Sequence, residues 1–83
     1  MLNKIENKTK EKYYIVYIRQ YTILLNDFVV YKKYIKTNDI YNYIGKYYSR
    51  ALERVERIDY QEISKGRYEE GKDITYYKGK ELD

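Results

Sequence analysis

Four cations at helical spacing are the residues of this 83-residue chain best placed to do chemistry. Lys46, Arg50, Arg54 and Arg57 fall within roughly 80° of one another at the ~100° per residue of an α-helix, so a helix through them carries one basic stripe. With Tyr43 and Tyr47 beside it, such a stripe can hold phosphates and stack bases. It can equally meet an acidic protein surface, where Arg and Tyr are the usual anchors. Lys32, Lys33 and Lys36 extend the stripe if the preceding strand runs alongside it. Glu53 and Glu56 interrupt the positive charge, and Glu53 has Arg57 as an i+4 partner.

Catalytic chemistry has little to draw on. The chain has no His and no Cys, so there is no ordinary nucleophile–base pair, no thiol chemistry and no usual zinc site. Gly45, Gly66, Gly71 and Gly79 are scattered and form no phosphate-cradling loop. Two short patterns resemble nuclease motifs. Tyr43-Ile44-Gly45 is similar to the second half of the GIY-YIG endonuclease signature, which implies a strand there and a catalytic Arg on a following helix. The first half lacks its Gly at Tyr14-Ile15-Val16-Tyr17, and the separation of the halves is too long. Asp59 followed by Glu70-Gly71-Lys72 resembles the acid and E-x-K of PD-(D/E)xK nucleases, in which carboxylates hold Mg²⁺. Here the E-x-K straddles a glycine turn. The expectation is a protein that is not an enzyme and needs neither metal nor cofactor.

Positioning the cations requires a helix and a surface beneath it. YYIVYIRQYTIL, from Tyr13 to Leu24, is rich in β-branched and aromatic residues and apolar on both alternating faces, the pattern of a central strand. Asn26 and Asp27 supply turn chemistry, and FVVYKKYIK follows as the partner of a β-hairpin. Val29, Tyr31, Lys33 and Ile35 share one of its faces; Phe28, Val30, Lys32, Tyr34 and Lys36 share the other. Thr37-Asn38-Asp39 then offers a helix start. Ile40, Ile44, Tyr48, Ala51, Val55 and Ile58 recur at spacings of three and four, which predicts an amphipathic helix from Asp39 to Ile58 packed on the hairpin. Tyr60 to Ser64, Arg67 to Glu70 and ITYYKGKEL read as two or three short strands, with turns at Lys65-Gly66 and Gly71-Lys72-Asp73. The fold class is therefore α+β: a small antiparallel sheet in the order β-β-α-β-β, with a possible fifth strand, and one helix across it. Residues 1–12 (MLNKIENKTKEK) are expected to be a flexible polar arm, and 13–83 a single domain.

Composition narrows the function class without naming a partner. There are 14 Tyr against one Phe and no Trp. Lys, Asn, Ile and Tyr, whose codons are largely A and T, make up about half of the chain. A core this small cannot hold so many rings, which leaves tyrosines for contact surfaces. The net charge of +4 is mildly basic. There is no apolar run long enough to span a bilayer and no secretory signal at the start, so a soluble cytoplasmic protein with no membrane partner is expected. The favoured reading is a small protein-binding module that occludes a surface of a larger host protein or nucleoprotein complex. Its specific form is a phage or mobile-element inhibitor of host defence, of the anti-CRISPR kind, acting in the host cytoplasm. The alternative is a protein that binds RNA or DNA through the basic, Tyr-flanked helix face. A homodimer through an exposed edge strand is a further expectation.

Overall fold

The structure, a computed structural model, describes residues 10–82. Five antiparallel strands form one sheet: β1 (Lys12–Thr22), β2 (Asp27–Thr37), β3 (Val55–Ile63), β4 (Ile74–Tyr77) and β5 (Lys80–Leu82). Their spatial order is β3-β1-β2-β4-β5. Helix α1 (Ile40–Arg50) connects β2 to β3, and a short helix α2 (Lys65–Glu70) connects β3 to β4. The expected α+β class, the hairpin and the fifth strand are all present.

The hairpin runs in unbroken register from Lys12↔Thr37 to Thr22↔Asp27. Because paired residues share a face, β1 sorts its side chains cleanly. Tyr14, Val16, Ile18, Gln20 and Thr22 are buried on one side. There Tyr14, Val16 and Ile18 join Ile40 in the core, with Tyr31, Ile35, Tyr43, Ile44 and Tyr47 packed against them. The opposite side carries Tyr13, Ile15, Tyr17, Arg19 and Tyr21. Among the described residues, only one end of it is approached by a helix, where the rings of Tyr13 and Tyr68 of α2 lie 4.9 Å apart.

Helix α1 begins where the sequence says it should. The Asp39 side chain accepts a hydrogen bond from the Asn42 amide at 3.0 Å, satisfying one of the orphan N–H groups of the first turn. It ends far earlier than expected. Ala51 is already extended, and Val55–Ile63, expected in part as helix, is a strand. The error has a definite cause. Val55 lies opposite Gln20 and Ile58 opposite Ile18, so three steps along β3 match two along β1 across a β-bulge. A bulge gives two inward-facing apolar residues the spacing of a helix. Both side chains do reach the expected core, but from a strand. Pairing with β1 also makes β1 the central strand its two apolar faces predict. Tyr48, placed on the apolar stripe by the longer helix, is exposed instead.

Two other local readings change. The Arg67 to Glu70 segment is helical, with Ser64 as N-cap accepting from the Arg67 amide at 3.2 Å, so Lys65-Gly66 opens a helix rather than turning a hairpin. The last hairpin turns at Lys78-Gly79, where φ is +51° and +80°. Positive φ at both central residues is what a tight two-residue hairpin with the right-handed strand twist requires, and Gly supplies it at no steric cost. Of the arm expected over 1–12, residues 1–9 lie outside the described residues, while Lys12 already pairs with Thr37 in β1.

Candidate binding cleft and apolar tip

The short helix divides the basic stripe between two sides of the sheet. Lys46 and Arg50 stay on α1. Arg54 lies in the connection 51–54, its guanidinium 5.6 Å from the centre of the Phe28 ring, and Arg57 sits in β3 opposite Arg19. Phe28 and Arg19 belong to the sheet face away from α1, so the expected four-residue patch is not one surface. Lys32 and Lys36 also point to that far face, as their strand alternation predicts. Lys33 alone joins the helix side, with its ammonium 5.6 Å from the Tyr47 ring centre.

What the structure does assemble is a cleft of 460 Å³ at the C-terminal end of α1. Tyr43, Lys46, Tyr47 and Arg50 line it from the helix, with Leu52 and Glu53 from the connection. Its floor is Gln20, a polar residue in the middle of a buried strand face. Burying that amide demands partners. Its oxygen accepts from the Tyr47 hydroxyl at 2.9 Å, and its nitrogen donates to the Glu53 carbonyl at 3.3 Å. Burial, with nearby Tyr31 and Tyr43, raises the pKa of Tyr47; burial, then the Asp73 carboxylate, raises that of Tyr43. Both phenols stay neutral near pH 7 and can donate.

Beside the cleft lies the β1–β2 turn. The Glu53 carboxylate accepts from the Ile23 amide at 2.6 Å, and the Tyr21 amide donates to the Arg54 carbonyl at 2.8 Å. These bonds hold the turn 23–26 against the connection 51–54 and bring four large aliphatic residues to one end of the molecule. Leu52 is 100% exposed, Leu24 95%, Ile23 74% and Leu25 40%. Single exposed aliphatics are ordinary; four brought to one end by these bonds form an exposed apolar patch. The basic-stripe reasoning did not reach these residues. The run Ile23-Leu24-Leu25 was a signal for them, since it carries large apolar side chains straight past the last paired residue of β1.

The nuclease patterns come apart. Tyr43-Ile44-Gly45 lies within α1 rather than on a strand, and Asp59 is on β3 while Glu70 ends α2. Among the described residues no three acidic side chains gather as a metal site would need. No helix among them is long and apolar enough to cross a membrane. The chain matches no protein-family model, and comparison with curated proteins and with solved structures gave no match.

Proposed function

We propose that this chain is a small protein-binding module that docks through its apolar tip, with Lys46 and Arg50 on the rim. The observation that carries this reading is the near-complete exposure of Leu24 and Leu52 on a tip held by hydrogen bonds. Interfaces concentrate their energy in a desolvated apolar centre surrounded by polar groups. Here the tip supplies that centre, while Tyr43 and Tyr47 give rigid amphipathic contact area in the cleft. The rim cations suit a partner whose own apolar patch is edged with carboxylates. Such a module works by covering a surface of something larger. A phage or mobile-element inhibitor of a host defence effector would act in this way, and the AT-rich codon bias of the chain agrees with that origin.

The test compares the native chain with a Leu24→Ser/Leu52→Ser variant as bait in a chemical-crosslinking capture from a host lysate. Neither side chain is packed, so the variant keeps its fold. Capture of one stoichiometric protein by the native chain, and its loss with the variant, is the expected result. Equal capture by both, or none by either, overturns the reading. Concentration-dependent dimerisation abolished by the same variant would instead make the tip a self-interface.

A further inference from the structure

Among the described residues, the sheet face away from α1 is met by a helix only near Tyr13, and it carries a patterned set of rings and cations. Tyr17 of β1 stands opposite Lys32 of β2, and Lys32 stands opposite Ile74 of β4. Tyr76, opposite Val30, lies diagonally beside Lys32 on the same face. Tyr34, two residues along β2, puts its ring centre 5.5 Å from the Lys32 ammonium. One lysine therefore sits among three tyrosines drawn from three adjacent strands. A shallow 180 Å³ hollow adjoins it, lined by Tyr17, Arg19, Val30, Arg57 and Asp59.

We propose that this open sheet face binds single-stranded nucleic acid, with Tyr17 and Tyr76 stacking bases and Lys32 holding the phosphate between them. The spacing fits. Tyr17 and Tyr76 are two strands and two residues apart, roughly 12 Å, with the lysine on the strand between them. Aromatic rings displayed on a sheet with cations interleaved form the general platform for unpaired bases, because every base has a π-face. The charge argument chooses the occupant. Among the described residues no carboxylate lies within ion-pair distance of Lys32, whose neighbours are phenols. The Tyr34 hydroxyl raises its pKa against the opposing effect of burial, so the side chain is cationic at neutral pH. An apolar protein surface would bury that charge unpaired. A phosphate completes it. Arg19, which also lies over the Phe28 ring, and Arg57 pair with Glu56 and Asp59 in exposed ion pairs, which cost little to exchange for a phosphate. This site is separate from the apolar tip and stands or falls independently of it.

The test is fluorescence anisotropy with labelled oligothymidylate and oligouridylate of roughly 12 nucleotides, with a duplex of the same length and heparin as controls. The native chain is expected to bind the single strands, more weakly as salt rises from about 50 to 200 mM. Tyr17→Ala and Tyr76→Ala should each weaken binding by about tenfold, and Tyr17→Phe should retain it, because the ring and not the hydroxyl stacks. Lys32→Glu should weaken binding and flatten its salt dependence. Lys80→Gln, whose strand position opposite Tyr77 faces away from Tyr76, should leave it nearly unchanged. Quenching of tyrosine fluorescence in the native chain gives a readout that needs no variant. The proposal is overturned by absence of binding at low salt, by equal affinity for duplex or heparin, or by binding that survives Tyr17→Ala and Tyr76→Ala. Self-association lost in Lys32→Glu would also overturn it, assigning the face to a second copy.

Discussion

On one face of β1, Tyr14, Val16 and Ile18 lie sealed beneath α1; on the other, Tyr17 and Arg19 stand exposed around a single sealed residue, Ile15. Both faces mix tyrosine with β-branched residues. What separates them is the element that covers each. An eleven-residue helix closes the first. Among the described residues the second has only a six-residue helix at one end, where Tyr13 meets Tyr68. The covered face supplies stability, and the open face is left with rings and charges available for contact.

That contrast can be broken at several points. The largest effect belongs to the covered face. Ile18→Ala should cost about 2–5 kcal/mol by urea denaturation, enough to unfold much of a domain this small, because a fully sealed side chain leaves a cavity. Tyr17→Ala, one residue away, should cost about 1 kcal/mol or less. Similar losses at the two positions would mean that the faces do not differ as described.

Gly71 is the point where the open face is closed over. A Cβ there would run into the Tyr34 ring close to its attachment, where the ring has little room to swing away. Gly71→Ala should therefore cost about 1–3 kcal/mol, and most of that loss should vanish in a Tyr34→Ala background, as a double-mutant cycle would show.

Tyr47→Phe sharpens the covered side. It removes the hydroxyl that satisfies the buried Gln20 oxygen, with an expected cost of about 0.5–1.5 kcal/mol at neutral pH. The same group gives a pH signature. Burial raises its native pKa above the ordinary phenol value of about 10, so its contribution is fully present below about pH 10 and is lost as pH rises through the higher native value. Tyr43 and Lys32, also raised, act in the same direction. Denaturation of the native chain should show stability falling above about pH 10, with a shallower fall in Tyr47→Phe.

The smallest effect is expected at the cleft rim. Arg50→Ala should change thermal stability by no more than about 0.5 kcal/mol, as suits a residue whose side chain is exposed. A larger loss would make the cleft a structural feature and not a binding one.

The free edge of β3 bears on self-association. Its sequence from Val55 to Ile63 carries Glu56, Arg57, Asp59 and Glu62. Antiparallel pairing of two copies about Asp59 would set Glu56 against Glu62, a like-charge contact at the edge. This argues against the expected edge-strand homodimer by that route.

Much of this fold was legible in the chain itself. Alternation of β-branched and aromatic residues specified the hairpin and the two-sided burial of β1, because a strand's side chains must alternate. The run Thr37-Asn38-Asp39 marked the start of α1, because short polar side chains there can satisfy its first amides, and Asp39 is the one that does. The composition marked tyrosine as surplus to the core. The end of the helix was not legible. Ala51-Leu52-Glu53-Arg54 has good helical propensity, and Val55 and Ile58 fit a helical stripe as well as a bulged strand. Only the unpaired edge of β1, a partner distant in sequence, decides between them. That one decision moves Arg54 and Arg57 to the far side of the sheet and dissolves the basic stripe. It also brings the connection 51–54 against the turn 23–26, which creates the apolar tip. Local chemistry determined which residues could make contact; long-range pairing determined which of them share a surface.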